Sequence, residues 1–157
     1  MKFPRIILLL LILTAFYGCS STGGTSFGGP SRAAMNHAIS QEPPGYFVGR
    51  RYYKKDYKFW GYIRKSGQQW ATAQLVMLNE QAKLAPDRAT GVLGSDNNHE
   101  YKLFGSFTGE KVYAPASNGF YPEFKLTGYQ LLSADPAPIF REAGATNPER
   151  RIIARPL

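Results

Sequence analysis

Residues 57–78 read YKFWGYIRKSGQQWATAQLVML, and the fold turns on this stretch. Tyr57–Lys65 is crowded with aromatic residues, and Gln69–Leu78 alternates before becoming continuously apolar. The Ser66-Gly67 pair between them suits a tight turn, so the segment predicts a β-hairpin. With a side-chain period of two, Tyr57, Phe59 and Gly61 share one strand face, and Lys58, Trp60 and Tyr62 share the other. Downstream, Asn79–Arg88 holds at most one helical turn before Pro86, and Ala89–Glu100 is a polar, glycine-containing loop. Strands are expected again at Tyr101–Phe107 and Lys111–Tyr113, linked by Thr108-Gly109-Glu110. The Asn118-Gly119 turn signal then leads into a last strand, Glu123–Leu132. Upstream, Arg32–Ser40 reads as a helical turn or two, ended by Pro43-Pro44-Gly45.

Three of these strands share a short pattern. Lys58-Phe59-Trp60-Gly61, Lys102-Leu103-Phe104-Gly105 and Lys125-Leu126-Thr127-Gly128 each place a glycine inside a strand, three residues after a lysine. An interior strand glycine is unfavourable unless the strand bends, bulges or admits another backbone. The expected fold is therefore mainly β. It is either a small antiparallel sheet or a partly closed five-stranded barrel that looks like an OB-type barrel. The expected boundaries are a leader at residues 1–18, a tether and short helix at 19–45, the β domain at 46–134 and an irregular tail at 135–157. The tail has four prolines and an arginine-rich end, with Arg150, Arg151 and Arg155. The phrase Gly105-Ser106-Phe107-Thr108-Gly109, with Tyr113-x-Pro115 and Pro122-x-Phe124, resembles an uncharacterised envelope-protein family. That resemblance implies no activity.

A chain of 157 residues suits one domain of ordinary size and excludes most multidomain enzymes. With 22 Phe, Tyr and Trp residues it is far too aromatic for a disordered tail, and its one cysteine excludes an internal disulfide and a cysteine-based zinc site. The N-terminus carries Lys2 and Arg5, then an apolar run over Ile6–Tyr17, then Gly18, Cys19 and Ser20. Twelve apolar residues are too few to span a bilayer, which needs ~20. A basic start, a short apolar core and small residues after it describe a secretory signal peptide.

Because the lone Cys19 directly follows Gly18 where the apolar core ends, Met1–Ser20 resembles the signal of a bacterial lipoprotein. That resemblance implies cleavage before Cys19, its acylation and a membrane anchor. Ordinary signal-peptidase cleavage after Ser20, leaving no lipid, is the alternative. Two or three acyl chains, each worth ~0.8 kcal/mol per buried CH₂, would hold the protein on a membrane. Ser20 after the cysteine is, by the same resemblance, compatible with the outer membrane facing the periplasm. Ser20–Ser31, with ten of twelve residues Gly, Ser or Thr, then reads as a flexible tether. Loss of Met1–Gly18 removes 18 residues and two cations, which leaves 139 residues at net charge +6.

The densest chemical feature is Tyr46–Lys65, with seven cations, one acid and eight aromatic residues. Arg50, Arg51, Lys54 and Lys55 are the candidate anion contacts, and Tyr52, Tyr53 and Trp60 the candidate ring faces. Cations with interleaved aromatics suit anionic lipid headgroups, acidic envelope polymers or, in another setting, single-stranded nucleic acid. They equally suit a strand whose rings face a core and whose cations face water. An exported protein meets little nucleic acid, so an envelope partner protein or anionic component is the leading expectation. An OB-like nucleic-acid module and a hydrolase built on the Asp96–Glu100 loop around His99 are the alternatives. No HExxH, GxSxG, P-loop or dinucleotide pattern occurs, and no catalytic residue, metal ligand or cofactor is assigned from the sequence.

Overall fold

The computed structural model describes residues 31–157; the leader, Cys19 and the tether up to Pro30 lie outside the described residues. Helix α1 (Arg32–Ser40) begins where the Ser31 hydroxyl accepts the Ala34 amide at 3.2 Å, an N-cap that satisfies one orphan donor. Five strands follow: β1 (Phe47–Arg51), β2 (Gly61–Lys65), β3 (Gln74–Asn79), β4 (Glu100–Ala114) and β5 (Gly119–Ser133). They close into a barrel in the order β1-β2-β3-β5-β4. The chain is thus mainly β, a closed five-stranded barrel of OB-like form. All pairs are antiparallel except β3 with β5, where Met77 lies beside Glu123 and Asn79 beside Lys125. The single parallel pair arises because residues 80–99 carry the chain away from β3 before β4 starts, so that β3 meets β5 instead.

β2 and β3 do pair as a hairpin, but not through a tight turn: the chain turns at Ser66-Gly67, with Gly67 at φ +76°, and then runs through a 3-10 turn at Trp70–Thr72, so β2 covers only Gly61–Lys65 and β3 starts at Gln74. A single turn of helix, α2 (Pro86–Ala89), starts at Pro86, where proline's missing N–H costs nothing. What reads as two strands around Thr108–Glu110 is one strand, because the β4–β5 register slips between Phe107 and Lys111 and residues 108–110 bulge. Strand β1 lies inside the basic–aromatic segment. Four of its five residues are buried, so no alternation marks it in the sequence.

Two apolar cores result. The barrel interior holds Ile63, Val76, Leu103, Phe124 and Leu126, with Phe47, Phe107 and Phe124 edge to face at 5.1–5.7 Å. The second core lies on the outer face of β1, β2 and β3, where Val48, Tyr52 and Tyr62 pack under Ile139, Ala145 and Ala154 of the C-terminal segment. Residues 135–157 form no helix or strand, yet Ile139 is fully enclosed and the segment is laid across the barrel as a strap.

The strand glycines divide by what surrounds them. A Cβ on Gly61 would collide with the backbone of Arg50–Tyr52, and one on Gly105 with the Lys125 carbonyl. Gly105 also has φ +149°, in a region open essentially to glycine alone. Gly128 faces only the Phe104 ring at ordinary contact distance, 3.4 Å. Gly61→Ala and Gly105→Ala should therefore each cost about 2–3 kcal/mol, and Gly128→Ala under about 1 kcal/mol, read from urea midpoints at constant m-value.

Candidate functional site

The basic–aromatic segment faces inward. Arg50, Arg51, Tyr52, Lys54 and Trp60 are all at most 4 % exposed. Arg50 donates to Glu100 at 2.6 Å, to Asn98 at 3.2 Å and to the Ala137 carbonyl at 3.1 Å. Arg51 donates to Asp87 at 2.9 Å and to the Phe59 and Trp60 carbonyls, and its Nε lies 3.3 Å from Asp96. Lys54 Nζ donates to the Ala145 and Asn147 carbonyls at 2.5 and 2.8 Å. The Tyr52 hydroxyl donates to the Ile152 carbonyl at 2.9 Å and accepts the Ala154 amide at 3.2 Å. Trp60 sits in the barrel core. Of the seven candidate contacts only Lys55 is exposed and Tyr53 half-buried, with the Tyr53 ring 5.2 Å from the Arg51 guanidinium.

The expectation that Arg50, Arg51, Lys54, Tyr52 and Trp60 meet an external anion therefore gives way to another role. The physical reason lies in the strap. An irregular segment has carbonyls with no ladder partners, and burying them requires donors from elsewhere. The segment supplies them: besides Lys54, Tyr52 and Arg50, the Tyr62 hydroxyl donates to the Ala154 carbonyl at 2.7 Å and the Tyr57 hydroxyl to Arg151 at 3.1 Å. Outside this seam, Arg151 pairs with Asp56 at 2.5 Å and Lys55 with Glu149 at 3.3 Å. The outer face of strands 2 and 3, which OB-type barrels use for oligonucleotides and oligosaccharides, is thereby covered by the chain itself.

The Asp96–Glu100 loop belongs to the same joint. Asp96 is enclosed beside Arg51, Asn97 accepts the Tyr53 amide and donates to the Thr146 carbonyl, and Glu100 pairs with Arg50. Burial pushes the Asp96 carboxyl up, and the nearby Arg51 charge only partly offsets it. Burial acts the same way on Asp87, but Arg51 and the Gly94 and Arg88 amides together outweigh it and hold Asp87 below the usual range. His99 is half-buried, with its ring 6.4 Å from that of Tyr101, and hydrogen-bonds no carboxylate among the described residues. Among the described residues no three His, Cys, Asp or Glu side chains cluster as metal ligands would, and no helix is long and apolar enough to cross a membrane.

An open cleft of about 470 Å³ separates the β1–β2 loop from the β3–β4 connection. It is lined by Tyr53, Lys55, Lys58, Arg88 and Leu93, with Arg51 and the acids Asp56, Glu80 and Asp87 among its other lining residues, four cations against three acids. Lys58 is exposed and forms no ion pair among the described residues, and Arg88 reaches Glu80 at 3.1 Å with more than half its side chain in solvent. Of the residues singled out in the sequence, Arg51, Tyr53, Lys55 and Trp60 line this cleft, and Arg50, Tyr52 and Lys54 do not. The pairing of Asp87 with Arg51, and the place of Arg88 beside it, escaped notice because nothing in the local sequence ties a turn 36 residues downstream to Arg51. Among known proteins, no family model, no curated protein and no solved structure matches the chain.

The strap seam and the barrel core share a pH signature. Burial holds the Tyr52, Tyr62 and Tyr101 hydroxyls above the ordinary phenol value of 10.0. Above that pH the unfolded chain releases phenolic protons that the folded chain retains, so stability falls as pH rises from 10.0 toward the raised folded-state values. Lys54, lowered by burial, acts in the opposite sense over the range just below 10.5. Tyr62→Phe should flatten the alkaline fall in unfolding free energy between pH 9 and 11 relative to the parent, measured by denaturant titration.

Proposed function

We propose that this chain is a lipid-anchored protein of the cell envelope, held through acylated Cys19 at the outer membrane facing the periplasm. Its barrel acts as a non-enzymatic binding module for an anionic envelope component. The cleft beside the β1–β2 loop is the observation that carries the binding half of this reading. There Lys55, Lys58 and Arg88 reach solvent around the Tyr53 ring and the apolar Leu93, which is 59 % exposed. Cations beside an exposed apolar group match the chemistry of an anionic headgroup or acidic polymer, with each Lys or Arg worth about 1 kcal/mol near such a surface.

The anchoring half rests on the sequence. A short apolar run ends at the only cysteine, and a Gly/Ser tether follows it. A strand 2–3 face already filled by the strap weighs against single-stranded nucleic acid as the ligand. Glu100 spends a carboxylate oxygen on Arg50, Asp96 is enclosed beside Arg51, and His99 hydrogen-bonds no carboxylate among the described residues, which weighs against hydrolysis at that loop.

Two measurements separate the halves. The parent should fractionate with membranes and carry acyl mass at Cys19, and Cys19→Ser should do neither. Recovery of the parent with Met1 retained, away from membranes, would defeat the anchor. In the Cys19→Ser background, Lys58→Glu with Arg88→Glu should weaken sedimentation with phosphatidylglycerol vesicles at low salt by about tenfold or more. Unchanged sedimentation of the double variant would reduce the cleft to a solvated face.

A further inference from the structure

The connection between β3 and β4 borders the cationic cleft with a turn that reads Gly91-Val92-Leu93-Gly94. Both glycines take positive φ, +74° and +76°, so the two aliphatic residues stand between left-handed positions. The turn is pinned from inside. Asp87, held by Arg51 at 2.9 Å, accepts the Gly94 amide on Oδ2 at 2.8 Å and the Val92 amide on its backbone carbonyl at 3.2 Å. The Val92 carbonyl accepts the Ser95 amide at 3.1 Å, and Gly94 lies against the Tyr53 ring, with which a Cβ would collide. Yet Val92 and Leu93 are 60 % and 59 % exposed and belong to neither apolar core. Packing within the fold therefore does not account for this adjacent pair. Beside it Lys58 is exposed without an ion pair among the described residues, and Arg88 and Lys55 keep 58 % and 64 % of their side chains in solvent.

We infer that this turn inserts into a membrane: Val92 and Leu93 enter the boundary between headgroups and acyl chains of an anionic bilayer, while Lys55, Lys58 and Arg88 meet its headgroups. The inference rests on the anionic-ligand reading of the same cleft and names that ligand as a lipid surface. Two observations favour a bilayer over a soluble acidic polymer. Four cations and three acids line the cleft, so charge alone leaves a surplus of one and holds a polyanion weakly. A polymer also offers nothing to two aliphatic side chains, whereas a bilayer supplies a negative surface and an apolar interior together. The sequence keeps the barrel within reach, because twelve residues separate Cys19 from α1, at most about 40 Å of chain. On a chain anchored at Cys19 the contact is intramolecular, so even a weak one orients the barrel on the membrane. The turn is already fixed before contact, and little conformational freedom is lost when it inserts.

The test uses the chain from residue 19 onward with Cys19→Ser, which keeps every described residue and carries no other cysteine. A polarity-sensitive fluorophore attached through Leu93→Cys should shift to shorter wavelength on phosphatidylglycerol vesicles. Lipids spin-labelled near the top of the acyl chain should quench it. Val92→Ser with Leu93→Ser should weaken sedimentation with the same vesicles about tenfold or more, in a chain whose circular dichroism is native, because the aliphatic area that leaves water is gone. Lys58→Glu with Arg88→Glu separates this inference from the reading beneath it. If that variant loses vesicle binding while the Val92 and Leu93 variant binds as the parent does and the label stays unquenched, the cleft holds an anion and the turn does not insert. The inference is then overturned and the reading stands. If the parent does not sediment with the vesicles, or neither variant changes its binding, both fall.

Discussion

The structure depends on the seam where Tyr52, Lys54, Tyr57 and Tyr62 donate hydrogen bonds to the carbonyls of Ala145, Asn147, Arg151, Ile152 and Ala154. Residues 135–157 bring no ladder of their own and satisfy only some of their carbonyls internally, such as Ile139 by the Leu157 amide, so the carbonyls of Ala145, Ile152 and Ala154 take donors from the barrel and its loops. Each bond contributes only about 0.5–1.5 kcal/mol net, but a buried carbonyl left without one costs about 1–3 kcal/mol. A lysine at 1 % exposure is expensive to bury unless its ammonium is satisfied, and two backbone carbonyls do that for Lys54. Strap and segment are therefore stable only together.

That mutual dependence shapes the surface. With the strap laid over Val48, Tyr52 and Tyr62, the barrel has apolar cores on both sides of its β1–β2 wall, and the arginines of that wall are enclosed. Enclosed arginines must be matched by acids, and each is: Glu100 for Arg50, Asp87 and Asp96 for Arg51, Glu42 for Arg64. These pairs fasten α1, the β3–β4 connection and the start of β4 to the two short strands. Two clefts stay open, one beside the β1–β2 loop where Lys55, Lys58 and Arg88 reach solvent, and one between α1 and the start of the strap, floored by two ion pairs over Trp70.

Much of this fold was legible in the sequence. The Ser66-Gly67 turn, the Asn118-Gly119 turn and the strand-interior Gly61 and Gly105 carry local signals, since tight turns and close backbone approach restrict residue type directly. Strand β1 was not legible, because burial on both faces removes the alternation by which strands are read. The site was less legible still. A run of cations reads as solvent-facing by default, and its burial is decided by Asp87, Glu100 and the tail carbonyls, 36 to 100 residues away along the chain. Period two put Trp60 and Tyr62 on one face, but β2 starts only at Gly61 and the two rings lie in different cores, Trp60 in the barrel interior and Tyr62 with Phe59 on the covered outer face.

Native-state hydrogen exchange of the intact protein tests the central claim, that the basic–aromatic segment serves the chain's own tail. The Ala154 amide donates to the Tyr52 hydroxyl, the Leu157 amide to the Ile139 carbonyl and the Lys55 amide to the Pro148 carbonyl. If the strap is part of the fold, these three amides exchange at least about 100-fold more slowly than in an unstructured peptide. Exchange of Ala154 and Leu157 at the unstructured rate, with the amides of β1 and β2 still protected, would mean that the strap is not held and that Arg50, Tyr52 and Lys54 are open to an external ligand.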